Sequence, residues 1–95
     1  MHVALLRFSA NKSPAAEHME GHQNWIRRGV EEGVFLLVGS IQPGQGGAVL
    51  AAGLTLEDFR ARVAEDPFVV HDVVTAEIIE ITPNLTDPRL AFLKD

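Results

Sequence analysis

A strand that is apolar on both of its faces is the strongest constraint on how this chain can fold. It is predicted over residues 34–41, with the sequence VFLLVGSI, and such a pattern is typical of a sheet that is covered on each side. Gly33 precedes it and is the residue type that most readily takes the left-handed position at the end of a helix. The sequence therefore predicts a helix, a terminating glycine and a doubly covered strand in direct succession.

The helix before Gly33 is predicted to run from Pro14 to about Glu32, with Ser13 as its cap. At about 100° per residue, His22 lies at the centre of the apolar side, and most charged residues lie opposite. The residues that share its side are Ala15, His18, Met19, Trp25, Ile26 and Gly29. A titratable ring thus occupies a position where an aliphatic side chain would pack at lower cost.

The remaining pattern completes a βαββαβ order. Further strands are predicted over residues 2–8, 48–52 and 73–82, and a second helix begins at Thr55 and ends before Pro67. This order indicates an α+β, ferredoxin-like domain with a four-stranded antiparallel sheet. Two helices cover only one face of such a sheet, so we expect the other face to bind a second copy of the chain.

The domain is assigned to residues 1–83, and residues 84–95 form a C-terminal tail with one short helical turn after Pro88. Leu90, Phe92 and Leu93 in this tail need cover. We expect the tail to pack on the dimer, or to contribute to a larger oligomer.

Composition excludes several classes of function. The 95-residue chain has a net charge of −5 and no run of Lys or Arg, which argues against nucleic-acid binding. It has no cysteine, and therefore no disulfide, zinc–thiolate site or cysteine nucleophile. No apolar stretch approaches the roughly 20 residues that span a bilayer, and the N-terminus does not resemble a signal peptide. We expect a cytoplasmic protein without membrane contact.

Two interpretations of His22 stay open at this point. A buried histidine is usually satisfied by one backbone carbonyl, whereas a functional imidazole needs a chemical partner. Asp66 is the candidate partner, because a carboxylate bound to one ring nitrogen fixes the tautomer and leaves the other nitrogen free to move a proton. Alternatively, Asp66 simply caps a backbone amide at the end of a helix.

Other residues complete the hypothesis. Ser40 and the backbone around Gly39 could donate hydrogen bonds to a developing oxyanion, and Trp25 and Phe68 could form the walls of a pocket. We expect no cofactor and no metal. The competing metal hypothesis places zinc or another divalent ion on His18 and His22, four residues apart on one helix, with Asp66 or His71 as a further ligand.

Taken together, these motifs resemble the YciI-like (YCII-related domain) proteins, over nearly the whole chain up to Pro83. The resemblance rests on His22-x-x-Trp25-Ile26, the run Gly33–Gly39, Gly46-Gly47 and Asp66-Pro67-Phe68. It implies a dimeric α/β barrel and an active site built from the histidine of the first helix and the aspartate of the DPF motif, here His22 and Asp66. The chain departs from the family at His71-Asp72, where relatives more often carry a glycine-containing turn, and in its acidic, hydrophobic tail.

The family is similar to muconolactone isomerases and chloromuconolactone dehalogenases. The resemblance therefore implies a small cofactor-independent enzyme, of isomerase, lyase or dehalogenase type, that acts on a carbonyl or lactone metabolite. His22 would be the general acid or base and Asp66 its orienting partner. The alternatives are a non-catalytic ligand-binding or accessory module on the same dimeric fold, and a subunit that acts beside a larger enzyme.

Overall fold

The predicted βαββαβ order is present, with one additional short helix before the last strand. The computed structural model describes residues 1–94, so Asp95, the last residue of the predicted tail, lies outside the described residues. The elements are β1 (His2–Phe8), α1 (Ala15–Glu31), β2 (Phe35–Ile41), β3 (Gly46–Ala51), α2 (Leu56–Ala64), α3 (Pro67–Val70), β4 (Val74–Glu80) and a 3₁₀ helix (Pro88–Lys94). The fold class is α+β, as predicted, and the 3₁₀ helix occupies the expected turn in the tail.

The four strands form one antiparallel sheet in the order β2-β3-β1-β4. Strand register places Val49 beside Ala4 on one face, and both are buried in the core beneath the helices. Leu37, Leu50, Val3 and Ile79 form a row across the opposite face. Leu37 and Ile79 are 57% and 38% exposed, so this row lacks cover within the single chain.

The observed ends of the helices agree in part with those predicted from the sequence. Gly33 has a φ of 74° just after α1, as predicted. At the predicted start of the second helix, the Thr55 hydroxyl accepts a 3.1 Å hydrogen bond from the Asp58 amide. The prediction that Ser13 caps α1 is wrong. Pro14 is the cap residue and no side chain bonds to the helix end, because the chain enters α1 through a turn in which Ala15 N–H donates to the Lys12 carbonyl.

Strand β3 begins at Gly46, two residues before the predicted start. Gly46 has a φ of 130°, and a β-carbon there would overlap the Leu6 carbonyl oxygen. Glycine is therefore required for the close approach of β3 to β1. Gly46-Gly47, which lies outside the strand predicted over residues 48–52, is the first part of β3.

Arg62 joins the two long helices at their ends. Its guanidinium donates a 2.7 Å hydrogen bond to Glu32, and its carbonyl accepts one of 2.9 Å from the Trp25 indole. The hydrogen bond and the positive charge of Arg62 lower the pKa of the Glu32 carboxyl. The contribution of this pair to stability is therefore present above the ordinary value of 4.5 and is lost as the pH falls through the lowered pKa.

Within residues 1–94, no helix has the length and hydrophobicity needed to cross a membrane.

At Gly29 helix α1 lies close against the sheet, because a β-carbon there would overlap the Phe35 ring. We predict that Gly29→Ala destabilises the protein by about 1–3 kcal/mol, although alanine favours helix by about 1 kcal/mol. Urea denaturation measures the change. The same substitution in a Phe35→Leu background should cost less, and a Gly29→Ala variant more stable than the parent would contradict the close packing.

Candidate active site

His22 and Asp66 form a direct, largely buried hydrogen bond. His22 Nδ1 lies 2.8 Å from Asp66 Oδ1. The His22 side chain is 15% exposed and the Asp66 side chain is fully buried. An ionised carboxylate can only accept, so the proton between them belongs to Nδ1. This leaves Nε2 as the nitrogen of His22 that is available to exchange a proton with a ligand.

The backbone geometry at the start of α3 orients the Asp66 carboxylate towards His22 and the Phe68 amide. Asp66 is the cap residue of α3, with extended φ and ψ of −62° and 123°, and Pro67 occupies the first helical position. Its Oδ1 accepts a 3.0 Å hydrogen bond from the Phe68 amide as well as the bond from His22. Asp66 is therefore both the cap of a helix and the partner of His22, and the same oxygen atom, Oδ1, makes both contacts.

Two pairs of stacked rings join α1 to α3. The His22 ring is parallel to the Phe68 ring at a centroid distance of 4.0 Å, with 3° between the planes. One helical turn earlier, the His18 ring stacks on the ring of His71 at 3.8 Å and 5°. The His22 ring is therefore held at its edge by Asp66 and on its face by Phe68.

The imidazole of His22 reaches a cavity of about 370 Å³ between the sheet and the helices. This volume is within the range of small-molecule pockets. The cavity is lined mostly by apolar groups, from Leu6, Phe8, Met19, His22, Ile26, Val38, Gly39, Ser40, Gly44, Gly46, Gly47, Ala48, Val49, Phe68 and Val74. Asp66 does not line it, so the carboxylate acts on a ligand only through His22.

The structure brings together most of the site residues predicted from sequence. His22, Phe68, Ser40 and Gly39 line the cavity, and Asp66 is bonded to His22. Trp25 was expected to form a wall, but it is absent from the lining and only 2% exposed. Its indole N–H donates to the Arg62 carbonyl, and its ring packs edge-on against Phe35. A buried indole needs such an acceptor, and this partner keeps Trp25 in the core.

Sequence reasoning missed Leu6, Phe8 and Gly47 as lining residues. The alternation of β1 places Leu6 and Phe8 on one face of that strand, and this signal could have identified them. Gly47 carried no such signal, because a Gly-Gly pair after a proline indicates a turn.

The metal hypothesis finds no suitable ligand set. Among residues 1–94, no group of three His, Asp or Glu side chains is placed to hold a metal ion. His18 stacks on His71, and Asp66 is bonded to His22.

His2 is a core histidine that bonds to the backbone through one ring nitrogen, and its Nδ1 is buried without a hydrogen-bond partner among residues 1–94. Its side chain is buried, and Nε2 lies 3.0 Å from the Leu54 carbonyl. The contact of His22 with a buried carboxylate is of a different kind.

No protein-family model matches this chain, and no curated protein matches it by sequence. A search of solved structures finds the 5-chloro-2-hydroxyhydroquinone dehydrochlorinase TftG from Burkholderia phenoliruptrix AC1100, in complex with 2,5-dihydroxybenzoquinone. The TM-score is 0.68 at 10% sequence identity, over 88% of this chain and 96% of that one. The likeness shows the fold, an α+β domain of ferredoxin-like βαββαβ order with one four-stranded antiparallel sheet.

We predict that Asp66→Ala destabilises the protein by about 2–4 kcal/mol, because it removes a helix cap and leaves two buried donors without an acceptor. Asp66→Asn should cost clearly less, since its side-chain oxygen can still accept from the Phe68 amide and from His22. Chemical denaturation of both variants measures the difference. Equal losses would contradict the role of Asp66 Oδ1 as a shared acceptor.

Proposed function

We propose that this chain is a small-molecule enzyme that moves protons with His22 on a compact carbonyl or lactone compound, with Asp66 as a positioning residue. The observation that carries the proposal is the 2.8 Å bond between a fully buried carboxylate and His22, whose ring lines an apolar cavity. The resemblance of the sequence motifs to those of YciI-like proteins also supports it, and we propose that the chain belongs with them.

The proposed step begins when Nε2 of His22 takes a proton from the carbon beside a carbonyl group. The electrons of the broken C–H bond form an enolate, and the Asp66 carboxylate stabilises the imidazolium that results. The Ser40 hydroxyl, at the edge of the same cavity, donates to the enolate oxygen. His22 then returns the proton to another carbon, which gives isomerisation, or the enolate expels a leaving group with its bonding pair, which gives elimination.

The structural neighbour favours the elimination branch. It is named a dehydrochlorinase, and loss of hydrogen chloride is an elimination in which one base removes the proton. We therefore propose elimination as the reaction type of our chain.

We further propose that the working form is a homodimer, joined through the exposed row of Leu37, Leu50, Val3 and Ile79. Dimerisation through that row would remove from water the apolar surface that a small domain leaves exposed. Leu90 and Phe92 of the tail, 45% and 55% exposed, are candidates for a second contact in a larger oligomer. A cytoplasmic location stays a prediction of the sequence.

The proton-transfer proposal is tested by deuterium exchange into 5-methyl-2(3H)-furanone, an unsaturated lactone whose acidic protons lie on the carbon beside the carbonyl, followed by NMR in D₂O. The native protein is expected to accelerate exchange at the carbon acids of the ring. His22→Gln should reduce the enzymatic rate by about 10²–10⁴-fold, and Asp66→Asn should reduce it to a smaller extent.

His18→Gln is the matched control, because His18 lies one turn away on the same helix and outside the cavity lining. It should exchange at the native rate. Native rates in the His22→Gln protein would contradict the proposal. The absence of acceleration over a panel of lactones and cyclic ketones would favour the non-catalytic binding module.

A further inference from the structure

We propose that the cavity selects uncharged, flat, single-ring compounds over carboxylates, and that Gly47 provides the space in which the ring lies. This inference deepens the proposed function by naming a substrate class. It concerns binding, so it can be tested separately from catalysis.

The charge of the cavity is the first argument. Among residues 1–94, the lining includes no Lys, Arg, Asp or Glu, and its polar side chains are His22 and Ser40. If His22 is protonated, its positive charge is already offset by the Asp66 carboxylate 2.8 Å away. The site therefore has no net positive charge for a ligand carboxylate, and moving an uncompensated charge into apolar surroundings is costly.

The position of Gly47 is the second argument. It pairs with Ser40 of β2 and with Leu6 of β1, so these three residues form one row on the helix-facing side of the sheet. A β-carbon on Gly47 would meet only the Gly39 carbonyl oxygen, at 3.4 Å. The space above Gly47 is thus empty of side chains. It lies between Ser40, which carries a hydroxyl group, and the apolar side chain of Leu6.

The surrounding shape favours a flat ligand. A glycine in a strand exposes backbone to which a planar ring can lie parallel, and Leu6, Val38 and Val49 supply apolar contact around it. Polar substituents at the edge of the ring would reach Ser40 or His22. A volume of about 370 Å³ is near the lower end for ligand pockets, which suits one ring rather than two.

The test uses two probes that differ in one group, hydroquinone and 4-hydroxybenzoate. Binding to the native protein is followed by amide NMR shifts, and a cavity ligand should move the signals of Ser40, Gly47 and Phe68. We expect hydroquinone to bind at least about tenfold more tightly than 4-hydroxybenzoate, because only the latter brings a charge.

The matched variants are Gly47→Ala, Gly47→Val and Ala76→Val. Ala76 continues the same row onto β4, but it is exposed and outside the cavity lining. Hydroquinone affinity should fall in Gly47→Ala and by about tenfold or more in Gly47→Val, since the added carbons occupy the ring position. It should be unchanged in Ala76→Val. The NMR spectra establish that each variant is folded, and Gly47→Ala decides the result if the valine variant does not fold.

Equal or tighter binding of 4-hydroxybenzoate, native affinity in both Gly47 variants, or no cavity binding by either probe would overturn the inference. If hydroquinone binds as expected but the protein shows no deuterium exchange with any carbonyl compound, the binding inference stands and the proposed catalytic function fails. If exchange occurs but carboxylates are preferred, the proposed function stands and this inference fails.

Discussion

One oxygen atom, Oδ1 of Asp66, connects the fold of this protein to its candidate chemistry. It accepts the Phe68 amide at 3.0 Å, which starts helix α3, and His22 Nδ1 at 2.8 Å, which orients the imidazole. The helix cap and the candidate acid/base group thus share one acceptor, so the backbone at the helix start also sets the orientation of the ring that lines the cavity.

The short helix α3 makes this arrangement possible. It places the Phe68 ring parallel to His22 and the His71 ring parallel to His18, so α1 and α3 meet through two stacked pairs. Stacking and hydrogen bonding restrict the His22 ring in different directions, the first along its face and the second at its edge. Pre-organisation of this kind reduces the reorganisation that a proton transfer would otherwise require.

Much of the fold could be predicted from the sequence, because hydrophobic periodicity and terminal residues such as Gly33 and Thr55 act locally. The pairing of His22 with Asp66 was also accessible as a hypothesis, since a polar ring on an apolar helix face requires a partner. The remaining features depend on tertiary contacts. Trp25 lies in the core because a carbonyl on α2 satisfies its indole. Gly47 belongs to a strand because it pairs with Leu6 of β1 and with Ser40 of β2, which no local pattern indicates.

Whether Asp66 holds a proton on Nδ1 of His22 is measured by ¹⁵N-edited NMR of histidine-labelled protein. A slowly exchanging ring proton is expected on Nδ1 in the native protein, because the hydrogen bond to Asp66 is buried. This signal should disappear in Asp66→Ala, while the ring signals of His2, which bonds to a carbonyl, are retained. A native His22 ring protonated only on Nε2, or an Nδ1 proton that persists without Asp66, would show that the carboxylate does not hold the ring.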